Sequence, residues 1–189
     1  MSELDAARST LVRELRQHAL VIGEVTLSSG QRASYYVDSR RALLRPAGFR
    51  AAGELIATVA GEVGAEAVGG PVTAAIPLAC AAIAVPEGER LLGFFVRKER
   101  KEHGLQRWVE GPVGPGTRCL VVEDTVTTGG STVAAIERMR EERLEIAGAL
   151  CVVDRLAGGA EAVAAAAKAP FRALVTIDEL YPERPDRDA

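Results

Sequence analysis

One stretch in the middle of the chain constrains the fold more than any other. An apolar run that ends at Val122 is followed by two adjacent carboxylates, Glu123 and Asp124. A loop of hydroxyl residues and glycines comes next, and apolar residues at helical spacing begin after Ser131. The pattern predicts a strand, a loop and a helix, which is the repeating unit of an α/β fold.

The loop has the chemical groups that bind a phosphate. Gly129 and Gly130 allow backbone N–H groups to converge on an anion, and the helix that begins near Ser131 adds its positive end. The side chains of Thr127, Thr128 and Ser131 supply hydroxyl donors. The alternative is an ordinary turn in which Ser131 only caps the helix. The coincidence of strand, carboxylates, hydroxyl loop and cap favours the phosphate site.

The two carboxylates suit a sugar. Glu123 and Asp124 stand where the predicted strand ends, which is the edge at which open α/β sheets bind ligands. Carboxylate oxygens there can accept hydrogen bonds from vicinal hydroxyl groups. A sugar phosphate is therefore the ligand that this stretch favours.

Residues 120–131 resemble the phosphoribosyl pyrophosphate (PRPP) motif of the type I phosphoribosyltransferases. The resemblance implies that Glu123 and Asp124 hold the ribose 2- and 3-hydroxyls and act in catalysis, and that residues 127–131 surround the 5-phosphate. The implied PRPP contacts along this motif are Glu123, Asp124, Thr125, Val126, Thr127, Thr128, Gly129, Gly130 and Ser131. The motif does not specify the nucleobase.

An N-terminal segment has the pattern of a β-hairpin. Val25 and Leu27 alternate with polar residues, residues 28–31 have turn composition, and residues 35–37 have the composition of a returning strand. We expect this hairpin to lie outside the main sheet.

The hairpin sequence, over residues 23–30 and 34–38, resembles the N-terminal hood of orotate phosphoribosyltransferases. The resemblance implies that Ser28 and Tyr36 contact orotate. Many members of that family have lysine where this chain has Ser28. An ordinary two-stranded flap is the alternative.

A basic segment over residues 97–107 is the second informative stretch. Its charged residues are Arg97, Lys98, Glu99, Arg100, Lys101, Glu102 and Arg107. A charge run is usually only a solvated face. Here it follows a predicted strand, however, and a pyrophosphate leaving group requires cations where its charge develops.

The segment also resembles the flexible catalytic loop of orotate phosphoribosyltransferases. The resemblance implies that Arg97, Lys98, Lys101 and His103 contact PRPP, and that Lys101 and His103 are catalytic. It further implies that this loop reaches into the site of the neighbouring subunit in a homodimer.

Arg155 follows another predicted strand at its C-terminal end. It could be a surface residue in an ion pair, but it matches an arginine that contacts orotate in the same family. The resemblance implies that Arg155 and Thr127 bind orotate.

The remaining patterns predict helices over 5–18, 46–63, 76–85, 131–143 and 160–168, and strands over 65–69, 91–96, 146–153 and 172–177. Their alternation predicts an α/β fold with a central, mostly parallel sheet flanked by helices. At 189 residues we expect a single domain over 1–189, with a hood at about 18–40 and a core at about 41–180. We expect the tail after Pro182 to be disordered.

Composition excludes some function classes. A net charge of -3 disfavours nucleic acid or an anionic membrane as a partner. The chain has no basic and apolar leader at its start and no long apolar run, so we expect a cytoplasmic protein. Cys80, Cys119 and Cys151 have no CxxC spacing, which favours buried hydrophobic residues over metal ligands or disulfides.

Over residues 18–156 the chain resembles bacterial orotate phosphoribosyltransferases, which use the type I phosphoribosyltransferase fold. The resemblance implies Mg²⁺-dependent conversion of orotate and PRPP to orotidine 5-phosphate and pyrophosphate in pyrimidine biosynthesis, with Mg²⁺ held mainly through PRPP. Besides Ser28, Ala74 stands where many members have lysine. Two alternatives therefore stay open: a phosphoribosyltransferase for a purine or another nucleobase, and a regulator that senses PRPP on the same fold.

Overall fold

The computed structural model describes residues 2–26, 32–100 and 107–187. These residues form a two-stranded antiparallel hairpin and a six-stranded sheet with helices on both faces. The strands are β1 (Leu20–Thr26), β2 (Arg32–Val37), β3 (Ala67–Pro71), β4 (Leu92–Val96), β5 (Val109–Glu110), β6 (Arg118–Val126), β7 (Glu145–Asp154) and β8 (Phe171–Thr176). The α-helices are α1 (Glu3–His18), α2 (Arg40–Leu43), α3 (Pro46–Glu62), α4 (Ala75–Ile83), α5 (Gly130–Glu141), α6 (Gly159–Ala167) and α7 (Ile177–Leu180).

The strands of the large sheet lie in the order β5-β4-β3-β6-β7-β8, and every neighbouring pair is parallel except β4 with β5. The predicted mostly parallel sheet flanked by helices is confirmed. The strand order changes direction at β3, which has β4 on one side and β6 on the other. Pairing between β3 and β6 ends at Gly69 and Val121. Such a switch point leaves the crevice in which open α/β sheets bind ligands.

The central strand β6 is apolar on both faces because helices cover both. Residues 119–122 have no exposed surface. Leu120 and Val122 face a core on one side that includes Ile56 of α3 and Leu78 of α4. On the other face the core includes Ile136 and Met139 of α5.

Local signals fix where several helices begin. The hydroxyl of Ser2 accepts a hydrogen bond from the backbone N–H of Asp5 at 3.1 Å, and the Asp5 carboxylate accepts one from the backbone N–H of Ser2 at 2.9 Å. This capping box starts α1. Pro46 occupies the first turn of α3, where its missing N–H has no consequence.

The predicted elements occur with ends shifted by a few residues. The hairpin begins at Leu20 rather than near Gly23, and β3 begins at Ala67 rather than Ala65. Helices α2 and α7 and strand β5 were not predicted, because elements of two to four residues carry no periodicity. None of the helices in the described part of the chain is long and apolar enough to cross a membrane.

Two expectations are wrong. Cys80 is exposed, because it lies on the outer side of α4 while its neighbours Ala79 and Ala81 face the core; Cys119 and Cys151 are buried as predicted. The tail after Pro182 is folded as far as residue 187. The side chain of Arg184 is only 8% exposed and is held by two carboxylates.

Helices α3 and α4 are in close contact at Gly53. A Cβ atom at this position would lie 2.5 Å from the carbonyl oxygen of Ala81 and 3.3 Å from its Cβ. Gly61, in the same helix, would place a Cβ atom in open space with nothing within 4 Å. The absence of a side chain is therefore required at Gly53 and not at Gly61.

Gly53→Ala should lower the free energy of unfolding by about 1 to 3 kcal/mol, because the helices must move apart to accept the methyl group. The matched substitution Gly61→Ala should be neutral or stabilise by up to about 1 kcal/mol, because alanine favours the helical backbone. Urea unfolding followed by circular dichroism measures both changes. Equal effects of the two substitutions would contradict the close contact.

Candidate active site

The two carboxylates at the end of β6 point to opposite sides of the sheet, as successive residues of a strand must. Glu123 is buried and accepts hydrogen bonds from the hydroxyls of Ser131 at 2.9 Å and Thr132 at 3.3 Å, both in the first turn of α5. Asp124 is half-buried, and its carboxylate accepts a hydrogen bond from the Ser39 hydroxyl at 2.6 Å. The acids are therefore held from different directions.

The environment of Glu123 disfavours its charge. Burial is the main cause, the neighbouring Asp124 carboxylate adds to it, and together they raise the pKa of Glu123 to about 7. Hydrogen bonds from Ser131, from the Asp124 backbone and from Thr132 offset part of this increase. Glu123 is thus poised between its neutral and ionised forms near neutral pH.

Ser39 is a site residue that the sequence analysis missed. Its side chain is 1% exposed and lies between the hairpin and α2. The Thr125 hydroxyl donates to the Ser39 oxygen at 3.3 Å, while Ser39 donates to Asp124. Ser39 therefore orients the Asp124 carboxylate. No pattern near Ser39 in the sequence could have indicated this contact, because the two residues are 85 positions apart.

The loop between β6 and α5 rests on the start of α6. Gly129 has φ 78°, and a Cβ atom there would lie 2.9 Å from both the Gly159 carbonyl oxygen and a methyl group of Val163. A Cβ atom on Gly159 would in turn overlap the Thr127 carbonyl oxygen. These two glycines let the loop backbone lie directly against α6, which fixes its position.

Several of the predicted phosphate-binding groups of this loop lie at the surface. Thr127, Thr128, Gly130 and Ser131 are exposed beside the N-terminus of α5, whose first N–H groups have no partner within the helix. The Ser131 hydroxyl is directed to Glu123, however, so its proton is not free for a phosphate in this arrangement.

Val126 differs from its neighbours in the motif. Its side chain is 1% exposed and lies in the core. Its carbonyl oxygen accepts a hydrogen bond from the backbone N–H of Arg155 at 2.9 Å. The Val126 side chain therefore does not face the site in this structure, and its contact with PRPP stays a prediction. The residue links the two parts of the site through its backbone.

Arg155 lies against the hairpin at the end of β7. Its guanidinium carbon is 4.8 Å from the centre of the Tyr35 ring, and its Nη2 donates to the Tyr35 hydroxyl oxygen at 3.0 Å. Its Nε is buried and has no hydrogen-bond partner among the described residues. A buried donor without a partner is unfavourable by roughly 1 to 3 kcal/mol, so it suits a ligand acceptor.

Strand alternation brings Tyr35, and not Tyr36, to Arg155. Tyr35 is buried, whereas Tyr36 is half-buried. Asp38 is the main group that raises the pKa of the Arg40 guanidinium, and the nearby Tyr36 makes a smaller contribution. The orotate contact expected of Tyr36 stays a prediction. The same contact expected of Ser28 falls on a residue outside the described ranges.

A second group of residues surrounds a cleft of about 350 Å³ at the ends of β3 and β4. The peptide bond between Val72 and Thr73, in the loop after β3, is cis. The residues that line the cleft are Val72, Thr73, Phe95, Arg97, Lys98 and Glu99. Arg97 and Lys98 therefore lie at the same edge of the sheet as the carboxylates.

The described ends of the basic segment are anchored on α5. Arg100 forms an ion pair with Glu141 at 2.8 Å, and the guanidinium groups of Arg100 and Arg138 lie 5.2 and 4.7 Å from the centre of the Trp108 ring. Arg100 is therefore engaged with α5. Lys101 and His103 lie outside the described residues, so their catalytic roles stay predictions.

Replacing Glu123 by glutamine should change how stability depends on pH. The folded carboxyl keeps its proton up to about pH 7, whereas the unfolded chain loses it near pH 4.5. Unfolding between these values releases a proton, so the wild-type free energy of unfolding falls as the pH rises through this window. Glu123→Gln cannot titrate, and its stability relative to wild type should rise by up to roughly 3 kcal/mol across the window.

Urea unfolding at a series of pH values measures this difference. Glu62→Gln, which changes an exposed carboxyl on α3, is the control and should follow the wild-type curve. A Glu123→Gln curve parallel to the wild-type curve would contradict the raised pKa.

The chain has clear relatives among known proteins. The phosphoribosyl transferase domain family matches residues 41–168. The orotate phosphoribosyltransferase of Streptomyces avermitilis is 44% identical over 179 residues, which are 94% of this chain and 98% of that enzyme. The orotate phosphoribosyltransferase of Corynebacterium glutamicum is 44% identical over 174 residues, with 92% and 94% covered.

Solved structures give the same result. The orotate phosphoribosyltransferase of Mycobacterium tuberculosis H37Rv in complex with Fe(III) dicitrate has a TM-score of 0.83 at 39% identity, with 92% of this chain and 98% of that chain covered. The same enzyme in complex with PRPP has a TM-score of 0.79 at 34% identity and the same coverage. The chain therefore belongs to the phosphoribosyltransferase family and, within it, to the orotate phosphoribosyltransferases.

Proposed function

We propose that this chain transfers the 5-phosphoribosyl group of PRPP to orotate and releases orotidine 5-phosphate and pyrophosphate, a step of pyrimidine biosynthesis. One observation carries the choice of base. Arg155 is tied by its backbone to the end of β6, and its buried Nε has no partner in the described residues. Orotate carries a carboxylate that can accept this hydrogen bond, whereas the purine bases are neutral.

The arrangement at the sheet edge fits the charges of the reaction. Breaking the bond at ribose C1 builds positive charge on the sugar and negative charge on the pyrophosphate. We assign the first charge mainly to the Asp124 carboxylate, with Glu123 contributing in its ionised form, and the second to Arg97 and Lys98 beside the cleft. No side chain acts as a nucleophile in this scheme.

Asp124 is the better placed of the two acids to hold the ribose hydroxyls. It is the more exposed, and the Ser39 hydroxyl fixes its orientation. Glu123 is held by the first turn of α5, so we assign to it a role in positioning the phosphate-binding loop as well as in charge stabilisation. The exposed groups of residues 127–131 would then surround the 5-phosphate.

The donor set is consistent with Mg²⁺ that is held mainly through PRPP. Mg²⁺ is commonly held by one or two carboxylates together with phosphates and water. Asp124 and Glu123 offer carboxylates at the right edge of the sheet. When bound, Mg²⁺ neutralises the charge that develops on the pyrophosphate.

The basic segment and the hairpin complete the proposal. Lys101 and His103 would act on the pyrophosphate from the neighbouring subunit of a homodimer, and the hairpin β1–β2 would cover the base as a hood, with Thr127, Tyr36 and Ser28 at the orotate site. We also propose a cytoplasmic location. These assignments follow the family resemblance.

Incubation with PRPP, Mg²⁺ and one base at a time should give pyrophosphate release with orotate, and not with uracil, adenine, guanine or hypoxanthine. The physical reason is the pairing of the orotate carboxylate with Arg155. Pyrophosphate release with a purine and none with orotate would contradict the proposal. Binding of PRPP without turnover of any base would favour a regulator.

Arg155→Ala makes the same test sharper. Loss of a hydrogen bond to a charged group should lower kcat/KM for orotate by about 10- to 150-fold. Arg172→Ala, which removes a surface ion pair with Glu62, is the control and should leave the kinetics unchanged.

A further inference from the structure

The folded C-terminal tail forms a closed ion-pair arrangement. The Arg184 side chain contacts the carboxylates of Asp178, in α7, and Asp186, in the tail, each at 2.9 Å. These contacts leave the Arg184 side chain 8% exposed and that of Asp186 49% exposed. The chain after α7 is thereby turned back, so that Asp186 is held in a defined place.

Asp186 reaches the hairpin through Tyr35. Both of its carboxylate oxygens lie within hydrogen-bond distance of the Tyr35 hydroxyl, at 3.1 and 3.0 Å. The ring of Tyr181, just before the tail, packs edge-on against the Tyr35 ring with centres 5.4 Å apart. The tail therefore holds both the ring and the hydroxyl of Tyr35.

The direction of these hydrogen bonds has a consequence for Arg155. A tyrosine hydroxyl has one proton, and an ionised carboxylate can only accept, so the Tyr35 proton is directed to Asp186. The Tyr35 oxygen is then free to accept from Arg155 Nη2 at 3.0 Å. Arg155 is thus fixed at one end of its guanidinium group, while its buried Nε stays without a partner among the described residues.

We propose that Asp186, held by Arg184, is a positioning residue for the base site: it directs the Tyr35 hydroxyl so that the Arg155 guanidinium is held in the orientation that receives the carboxylate of the substrate. This inference rests on the proposed function, because it requires an anionic base. Asp186 does not itself contact Arg155 through a hydrogen bond or an ion pair. Its effect passes through a single hydroxyl group.

The chain offers a matched control. Glu183 is an exposed carboxylate in the same tail, and its side chain makes no hydrogen bond or ion pair with residues 2–26, 32–100 or 107–187. Glu183→Ala removes the same charge as Asp186→Ala from nearly the same place. Asp186→Asn removes the charge but keeps an oxygen that can accept from Tyr35.

The experiment is calorimetric titration of orotate in the presence of pyrophosphate and Mg²⁺, together with steady-state kinetics. Asp186→Ala should weaken orotate binding and raise KM for orotate by about 3- to 10-fold, with KM for PRPP unchanged. Asp186→Asn should retain most of the affinity, and Glu183→Ala should match wild type. In a Tyr35→Phe background, Asp186→Ala should have no further effect, because the hydroxyl through which it acts is gone.

Different outcomes separate the two proposals. Wild-type protein that neither binds nor converts orotate would overturn the proposed function. If wild type converts orotate, any of three results would overturn the positioning role alone. The first is an unchanged orotate affinity in Asp186→Ala, and the second is an equal loss of orotate affinity in Asp186→Asn and Asp186→Ala. The third is a fully additive loss of orotate affinity when Asp186→Ala is combined with Tyr35→Phe. A rise in KM for PRPP equal to that for orotate would show a general structural role and would also overturn it.

Discussion

The site depends on one constraint, the burial of β6 between two parallel neighbours. Hydrogen bonding to β3 and β7 on either side and helices on both faces hold this strand rigidly. Its polar end emerges at the switch point of the sheet, where Glu123 turns to α5 and Asp124 turns to Ser39. The carboxylates, the loop and the helix N-terminus are therefore placed by the core of the fold and not by flexible surface segments.

Two kinds of support surround this strand end. The loop between β6 and α5, the proposed phosphate site, is fixed by backbone contact at Gly129 and Gly159, a contact that no larger residue allows. The proposed base side of the site is fixed by hydrogen bonds that run from Arg155 through Tyr35 to the tail. The first support is inherent to the α/β fold, whereas the second joins the hairpin, β7 and the C-terminus, which are distant in sequence.

This difference explains what the sequence could predict. The unit from β6 to α5 and most helix bounds follow from local patterns, so the fold and the acidic pair were predictable. Local patterns do not indicate Ser39, because its partner is 85 residues away, and they predict a disordered tail, because the contact of the tail with Tyr35 spans 151 residues. Alternation predicted a strand at residues 35–37 but did not show which tyrosine faces Arg155, since the hairpin register shifts between Ile22 and Val25.

Calorimetric titration of PRPP with Mg²⁺ tests the central claim, that the end of β6 binds the sugar of PRPP. Asp124→Asn keeps the shape of the side chain and an acceptor for Ser39, but it removes the charge offered to the ribose hydroxyls. This variant should bind PRPP about 10- to 150-fold more weakly than wild type, while Glu62→Gln should bind as wild type does. Equal affinity of Asp124→Asn and wild type for PRPP would contradict the account.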